Sequence, residues 1–345
     1  MIHIDGIIFS LQRHGGITVY FRELLVSLRA QQVSHVLSLV TPLLQDLGTS
    51  AAEAYRYDSR AMERYRKCRP LSACASVFHS SYYRQSSSRT NPTVVTVHDF
   101  VYERYAKGPK RWVHMHQKHA AIRAAQAVIC ISESTRQDML EFVGEVSGQV
   151  VHVIHNGVSE VFRPLSLGPP SVPYVLYVGE RRGYKNFMQL LQAMEFLPDL
   201  ELHCVGGGAL RVDEFAAVPE SLQRRVKHLG FITDEALNEH YNRALCLVYP
   251  SSYEGFGIPV VEAMRAGCPV VSAECKAVLE VGRDALTVAE DASPRALADA
   301  VMRLTSEDYR NRVVSRGLEV SRHFSWQKTH EGTLSVYKNL GASLN

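Results

Sequence analysis

The sequence lacks the features that mark disulfide-bonded, metal-binding and membrane-spanning proteins. Its seven cysteines are scattered over 345 residues and form no Cys-x-x-Cys pair, so they predict neither a disulfide framework nor a metal site. No apolar run is long enough to cross a bilayer. The first residues lack the basic start and long apolar stretch of a signal peptide. We therefore expect a soluble globular protein of a reducing, cytoplasmic compartment, with no metal.

The charge of the chain is small but unevenly distributed. Residues 1–130 hold 17 Lys and Arg against 8 Asp and Glu, whereas the remainder holds 21 against 27. This asymmetry predicts an anionic partner for the first half, such as nucleic acid, a phosphorylated lipid or a membrane surface. Six cations interleaved with aromatic residues make one basic segment: Arg104, Lys107, Lys110, Arg111, Lys118 and Arg123. A solvated helical face and a membrane or lipid-diphosphate contact both explain this segment.

Strand-like and helix-like runs alternate along the chain, which predicts an α/β architecture with mostly parallel sheets. The alternation occurs twice, on either side of a segment with four prolines between residues 163 and 173. We expect two Rossmann-like domains with a cleft between them. The predicted strands are 2–9, 36–40, 77–79, 93–97, 127–131, 150–154, 174–179, 200–205, 226–229, 246–249 and 269–272. The predicted helices are 17–30, 110–125, 136–142, 187–196, 235–244, 259–266 and 294–304.

Two carboxylates bracket a Gly-rich turn after one of these strands. Glu254 follows the apolar run 244–249, and Glu262 lies about one turn into the helix that Pro259 begins. Open α/β sheets bind ligands at this end of their strands, and a helix start offers free amides to anions. Carboxylates accept hydrogen bonds from hydroxyls. The combination predicts a sugar-nucleotide site.

The run from Glu254 to Val271, Glu-Gly-Phe-Gly-Ile-Pro-x-x-Glu-Ala-Met-x-x-Gly-x-Pro-Val-Val, resembles the Glu-x7-Glu motif of retaining GT-B glycosyltransferases of glycosyltransferase family 4. Residues 324–338 are similar to the closing segment of that family. The resemblance implies a GT-B fold with an acceptor-binding domain over residues 1–165 and a nucleotide-sugar domain over 174–325. Residues 326–345 would then form a helix that packs back on the first domain.

The resemblance also assigns donor contacts. It implies that Glu254 and the amides after it hold the sugar, and that Glu262 accepts hydrogen bonds from the ribose. Gly15 and Gly16 would meet the diphosphate from the first domain, Gly206 would line the pocket, and Ile232 lies in the segment that reads the base. The amides in question belong to Gly255, Phe256, Gly257 and Ile258.

Cations in the loop 179–186 are the expected ligands of the leaving diphosphate. Arg can fork two phosphate oxygens, whereas Lys acts as a point charge. The resemblance implies an Arg and a Lys here, with Lys185 matching its position before Asn186. An inserted residue separates the Gly from the Arg, so Arg181 is our choice and Arg182 the alternative. No metal is expected.

His98 ends the apolar run 94–97 and resembles the family's histidine at the cleft floor. A packed histidine is the other interpretation. Three residues are candidates for the acceptor side. Asp99 could instead orient His98, Ser132 could cap a helix, and Asn156 could form a turn with Gly157.

The resemblance implies a retaining hexosyltransferase of bacterial surface polysaccharide biosynthesis. The expected donor is a nucleoside-diphosphate sugar such as GDP-mannose, and the expected acceptor is a glycan or a polyprenyl-diphosphate-linked glycan at the inner face of the cytoplasmic membrane. Two alternatives remain: a nucleotide-sugar 2-epimerase of the same architecture, and a nucleotide-sugar-binding protein without activity. A nucleic-acid-binding protein would not explain the anion-binding loops of the second half.

Overall fold

The structure, a computed structural model, describes residues 1–13, 15–43, 47–50, 53–68, 76–88, 90–181, 183–209, 211–216 and 218–342. The chain forms two compact units. Unit 1 consists of Met1–Gly157 and Trp326–Asn345, and unit 2 consists of Val158–Ser325. No helix among the described residues is both long enough and apolar enough to span a bilayer.

Unit 1 is built around a parallel sheet of seven strands. These are β1 (Ile2–Asp5), β2 (His35–Thr41), β3 (Ala54–Asp58), β4 (Val77–Ser80), β5 (Thr93–Val97), β6 (Ala127–Cys130) and β7 (Val150–Val153). Its helices are α1 (Ile8–Leu11), α2 (Gly16–Ala30), α3 (Val101–Arg104), α4 (Pro109–Ala124), α5 (Glu133–Phe142) and, after unit 2, α14 (Trp326–Asn339), with a short 3-10 helix at Glu63–Tyr65.

The strand order in unit 1 is β3-β2-β1-β4-β5-β6-β7, with every pair parallel. The order reverses between β1 and β4, which is where doubly wound sheets bind ligands. The core lies where the sheet meets α2 and α14: Ile4, Phe21 and Tyr337 are buried there. Helix α14 also hydrogen-bonds into this unit, because Thr333 Oγ1 lies 3.2 Å from the hydroxyl of Tyr20.

Unit 2 has the same plan with six strands. They are β8 (Tyr174–Val178), β9 (Glu201–Val205), β10 (Val226–Gly230), β11 (Cys246–Tyr249), β12 (Val270–Ser272) and β13 (Leu286–Val288). Its helices are α6 (Phe187–Ala193), α7 (Val212–Ala216), α8 (Glu220–Gln223), α9 (Asp234–Arg243), α10 (Ile258–Ala266), α11 (Lys276–Gly282), α12 (Pro294–Arg303) and α13 (Glu307–Ser321). Short 3-10 helices occur at Gly183–Lys185, Met194–Phe196 and Arg283–Ala285.

The sheet of unit 2 is also parallel throughout, in the order β10-β9-β8-β11-β12-β13. Its order reverses between β8 and β11. The loops that follow these two strands therefore begin side by side at the carboxyl edge of the sheet. The predicted α/β class with two Rossmann-like parallel sheets is confirmed.

The chain enters unit 2 earlier than the prolines suggest. We expected the first domain to reach residue 165, but the units divide between Gly157 and Val158. The amide of Arg163 donates to Asn238 Oδ1 at 3.1 Å, and that of Leu165 donates to Asn242 Oδ1 at 2.6 Å. These side chains of α9 hold the proline-rich segment on unit 2, so it is not a free linker.

Two further sequence predictions meet different outcomes. The strand predicted over residues 2–9 is too long: it ends at Asp5, and Ile8–Leu11 forms a turn of helix. An apolar run fits a buried helical turn as well as a buried strand, so periodicity could not separate the two. Cys130, Cys204 and Cys246 are fully buried free thiols, as predicted.

Candidate functional site

In unit 2, the predicted donor residues lie on the two loops at the reversal of strand order. One loop follows β8 and carries Lys185, and the other follows β11 and carries Glu254. Lys185 Nζ donates to Glu254 Oε1 at 2.5 Å, and both side chains are mostly buried. The structure thus joins a cation and a carboxylate that are 69 residues apart in sequence. The pair offers one group for phosphate oxygens and one for hydroxyls.

Asn186 holds these two loops together. Its side-chain nitrogen, Nδ2, donates to the carbonyl of Pro250 at 2.9 Å and to Ser252 Oγ at 2.7 Å. The amide of Ser252 in turn donates to the carbonyl of Tyr184 at 2.9 Å. Asn186 itself has a left-handed backbone, with φ of 52°. The two loops therefore form one pinned structure, which fixes where Lys185 and Glu254 lie.

Helix α10 begins directly beside this pair. Gly257 precedes the helix with φ of 95°, a conformation that suits glycine, and Pro259 occupies the first turn. A Cβ at Gly257 would lie 3.2 Å from Val278 Cγ2. In the first turn Pro259 has no N–H, and the amide of Val260 donates to the carbonyl of Gly257 at 3.0 Å. The helix start still directs the positive end of the helix dipole toward this pair, where an anion is stabilised. Phe256 is buried against Phe324, which anchors the turn.

Glu262 lies in α10, one turn beyond Ile258. Tyr241 of α9 donates its hydroxyl hydrogen bond to Glu262 Oε2 at 3.1 Å. Burial raises the pKa of Glu262 to about 8, with a further rise from the nearby charge of Asp234, while the bond from Tyr241 opposes the shift. At neutral pH the group therefore carries its proton, and it can both donate and accept hydrogen bonds.

Arg181 has a different environment from the one predicted. Its Nε donates to both oxygens of Glu214, at 3.0 and 3.2 Å, and the pair is almost fully buried. Its Nη atoms donate to the carbonyls of Gly206, Gly208 and Ala209. The guanidinium thus braces the Gly-rich loop after β9 from within unit 2. Its role as a phosphate ligand stays a prediction, and Arg182 lies outside the described residues.

Gly206 lies on the loop after β9, where its carbonyl accepts from Arg181, and Ile232 lies on the loop after β10. The amide of Gly206 donates to the carbonyl of Gly230 at 2.9 Å, which joins the two loops. Gly207 requires glycine, since its φ is 72° and a Cβ would lie 2.8 Å from Arg181 Nη1. The predicted pocket-lining loops of unit 2 are therefore tied to one another.

In unit 1, His98 follows β5 and is buried. Its ring packs edge-on against Tyr20, with centroids 5.3 Å apart. Burial lowers the pKa of His98 to about 4, the charge of Lys118 lowers it further, and Asp99 opposes them. No described residue gives Nε2 of this ring a hydrogen-bond partner. His98 is thus a neutral imidazole with an unused ring nitrogen, which fits a group that binds a substrate hydroxyl.

Lys118 holds the loop after His98. This buried ammonium donates to the carbonyl of Asp99 and, at 3.2 Å, to Glu103 Oε2. It also lies 3.5 Å from the ring centroid of Phe100. The carboxylate of Asp99 caps the next turn by accepting from the amide of Val101 at 3.0 Å. Asp99 therefore shapes the loop that carries His98, and its acceptor role is still untested.

The remaining predicted site residues of unit 1 are Gly15, Gly16, Ser132 and Asn156, and their environments differ. Gly15 precedes α2 with φ of 149°, and Gly16 is its first residue, whereas His14 lies outside the described residues. Ser132 caps α5, since its Oγ accepts from the amide of Thr135 at 2.9 Å. Asn156 is buried, and its Oδ1 has no hydrogen-bond partner among the described residues. Ser132 is therefore used in folding, whereas Asn156 keeps a free acceptor.

The basic segment is only partly a surface. Lys118 is buried, and Arg104 bonds to Asp138 and Glu141 at 2.5 and 2.9 Å. Lys107 and Lys110 are exposed, as is Trp112 at 66%. The spacing of cations in a sequence does not show which of them pair with carboxylates or carbonyls of the folded protein. The basic surface predicted from all six cations was therefore too large.

Sequence reasoning missed three residues that shape these sites. Glu214 and Tyr241 are the buried partners of Arg181 and Glu262, and Asn186 joins the two loops of the Lys185–Glu254 pair. Only Asn186 gives a sequence signal, because it follows Lys185 directly. Among the described residues, no group of three or more His, Cys, Asp and Glu is arranged to hold a metal ion.

Two family models match the chain and together cover most of it. The model described as Glycosyltransferase Family 4 matches residues 14–161, and the model described as Glycosyl transferases group 1 matches residues 158–319. The O-antigen chain mannosyltransferase B of Escherichia coli is 29% identical over 273 residues, which cover 73% of this chain and 71% of that protein.

Solved structures match the whole length of the chain. Sucrose-phosphate synthase from Thermosynechococcus elongatus superimposes with a TM-score of 0.78 at 21% identity, covering 98% of both chains. The Anabaena protein HepE, in complex with UDP and glucose, gives a TM-score of 0.72 at 16% identity and covers 98% of this chain and 99% of its own. These likenesses show that the two parallel-sheet units have the GT-B fold.

Proposed function

Because this chain belongs to the family 4 glycosyltransferases, we propose that it is a retaining, metal-independent hexosyltransferase. It takes a hexosyl unit from a nucleoside-diphosphate sugar and transfers it to a glycan hydroxyl with an α linkage. The observation that carries this proposal is the Lys185–Glu254 pair beside the start of α10. It combines a cation, the positive start of a helix and a hydroxyl acceptor at the carboxyl edge of a parallel sheet, where such folds bind nucleotides.

Unit 2 binds the donor in this proposal. Lys185 and the positive end of the α10 dipole stabilise the charge that develops on the departing diphosphate. Glu254 and the amides of the turn hold the hydroxyls of the sugar, and Glu262 bonds to the ribose. The raised pKa of Glu262 allows it to donate as well as accept there. Arg181 keeps the Gly-rich loop in place and is the second candidate for the diphosphate.

The transfer itself needs no nucleophilic side chain. We expect the acceptor hydroxyl to attack the anomeric carbon from the face that the diphosphate leaves, through a short-lived oxocarbenium-like ion pair. The bond from that carbon to the diphosphate breaks, and an oxygen of the departing diphosphate takes the proton of the hydroxyl. His98, neutral at physiological pH, orients a sugar hydroxyl through its unpaired Nε2. The product keeps the anomeric configuration of the donor. Isolation of a glycosyl adduct on Glu254 would contradict this mechanism.

The donor sugar is proposed to be mannose, and the acceptor a growing surface glycan. Support comes from the similarity to a mannosyltransferase of O-antigen chains. A polyprenyl-diphosphate carrier at the inner face of the cytoplasmic membrane would place the exposed cations of unit 1, such as Lys107 and Lys110, near anionic groups.

Donor binding tests the proposal directly. We expect GDP-mannose to raise the melting temperature more than UDP-glucose or dTDP-glucose, because ligand stabilisation grows with concentration over Kd. Lys185→Ala should remove a charge-assisted bond of about 2 kcal/mol, which weakens donor binding about thirtyfold in calorimetry. Lys227→Ala is the matched control. This lysine lies at the start of β10, at the amino ends of the strands, whereas the proposed donor site lies at their carboxyl ends.

Two results would refute parts of the proposal. If none of the three sugar nucleotides shifts the melting temperature, the donor site of unit 2 is wrong. If GDP-mannose binds but a manno-oligosaccharide acceptor gives no product, the chain binds donor without turnover or requires another acceptor. NMR of the anomeric proton then decides between retention and inversion, and recovery of an epimerised nucleotide sugar would favour the 2-epimerase alternative.

A further inference from the structure

A cavity of about 560 Å³ lies in unit 1, and none of the residues predicted to act in catalysis lines it. It is bounded by the segment from Met62 to Lys67, the turn after β4 and the first three turns of α4. Its volume falls within the range of about 300–1,000 Å³ that is usual for small-molecule sites. The proposed function gives this cavity no role.

The mouth of the cavity is unusually apolar for an exposed surface. Trp112 is 66% exposed, Met62 68%, Val113 47% and Tyr65 41%, and all four line the same cavity. Exposed apolar residues that cluster around one opening mark a binding site more often than scattered ones do. Covering the apolar surface of these side chains with an apolar ligand would remove it from water, which stabilises the bound state.

The charges at the cavity all have one sign. Arg66 and Lys67 are exposed at its rim, and none of the described residues that line it is acidic. The third cation, Arg84, is buried and already neutralised by Asp5 and Glu63, each 3.5 Å away. Arg66 donates its Nε to the carbonyl of Ala61 at 3.0 Å, which leaves the rest of its guanidinium for an anion.

The walls are fixed by hydrogen bonds between the segments that form them. Gln117 Nε2 of α4 donates to the carbonyl of Arg64 at 2.6 Å. The amide of Cys68 donates to the carbonyl of Gln85 at 2.8 Å, and Gln85 Nε2 donates to the carbonyl of Ala120 of α4 at 3.1 Å. These bonds tie the three sides of the cavity together, so a ligand would meet a largely preformed site.

We propose that this cavity binds a phosphorylated long-chain lipid, with the apolar chain inside and the phosphate on Arg66 and Lys67. A free anion would gain nothing from the apolar walls, and an uncharged lipid would gain nothing from the two cations. The inference rests on the proposed function in one respect, since such a lipid would be the carrier of the acceptor glycan. It assigns that carrier a position in unit 1, at residues outside the predicted acceptor candidates.

Calorimetry with farnesyl diphosphate, kept below its micelle concentration, tests the site on the full chain. We expect the double variant Arg66→Glu, Lys67→Glu to weaken binding at least tenfold. Val113→Asp places a carboxylate in the apolar wall, at an exposed helix position that tolerates it, and should weaken binding about as much. The matched control is Arg224→Glu, Lys227→Glu, which makes the same charge change at two exposed cations of unit 2 and should bind like the parent.

Farnesol and inorganic pyrophosphate separate the two halves of the ligand. Each should bind at least tenfold more weakly than farnesyl diphosphate. The proposal is overturned if either binds as tightly as the whole molecule, if the Arg66, Lys67 variant binds normally, or if the Arg224, Lys227 control loses binding equally. A donor titration with GDP-mannose keeps the two proposals apart: normal donor binding beside failed lipid binding rejects the lipid site and leaves the glycosyltransferase proposal standing.

Discussion

At the scale of single residues, Glu262 shows how a buried carboxyl acquires a pH-dependent role. It lies in the first turns of α10 and accepts a hydrogen bond from Tyr241. Burial raises its pKa to about 8, so the folded protein keeps a proton there that the unfolded chain loses near pH 4.5. Folding therefore becomes less favourable on account of this group as the pH rises from about 4.5 to about 8, and the loss levels off above that.

Glu262→Gln should remove this dependence, because glutamine resembles the protonated acid and does not titrate. Between pH 5 and pH 8.5 the melting temperature of the parent should fall relative to that of the variant by at least about 3 °C. Calorimetric scans across the pH range measure the difference. Glu239→Gln, on the exposed face of α9, should keep the parent profile, and parallel curves for all three proteins would show that the proton on Glu262 has no influence on stability.

At the scale of elements, the start of α10 controls the donor loop. Gly257→Ala forces a side chain into a left-handed backbone and brings its Cβ to 3.2 Å from Val278. We expect a loss of about 1–2 kcal/mol in stability and at least tenfold weaker donor binding, since Glu254 and the amide of Ile258 adjoin this residue. Gly168→Ala is the control because its Cβ meets nothing within 4 Å, and it should be neutral in both assays. Equal behaviour of the two variants in denaturation and calorimetry would contradict this role of the turn.

The elements also show what sequence can and cannot predict. Buried parallel strands such as Thr93–Val97 and Cys246–Tyr249 are found where predicted, because each is a short apolar run bounded by polar or turn residues. The pairing of Arg181 with Glu214 could not be predicted, since the partners are 33 residues apart and meet only after β9 is placed beside β8. Lys118 was taken for a surface cation for the same reason. Position along the chain shows which edge of a sheet a residue reaches, whereas its partners depend on packing.

At the scale of the whole molecule, buried histidines influence how unit 1 responds to acid. Five buried histidines of unit 1 have pKa values lowered by burial, to about 3 for His79 and to about 4 for His3, His98, His114 and His330. Each binds a proton in the unfolded chain near pH 6.5 but resists it when folded. Stability from these groups is therefore complete above pH 6.5 and is lost as the pH falls toward 4. Asp5, whose pKa burial raises to about 6, opposes this in part.

Unit 1 should consequently melt first in acid. Both tryptophans, Trp112 and Trp326, belong to it, so their fluorescence reports on unit 1 alone. We expect the fluorescence melting temperature to fall by at least about 5 °C between pH 7 and pH 4.5, and to fall more than the main circular-dichroism transition. Coincident transitions at both pH values would mean that the buried histidines do not decide where unfolding begins.

The placement of α14 reverses the usual order of domain completion during synthesis. Unit 2 is whole once Ser325 has been made, whereas the core of unit 1 still lacks Leu334 and Tyr337. At translation rates of about 5–20 residues per second, the stretch between Gly157 and Trp326 keeps the earlier unit unfinished for roughly ten seconds or more. Through that interval its sheet has an apolar face without the helix that covers it. A nascent chain of this protein therefore offers chaperones its first-made half, and for longer than its second.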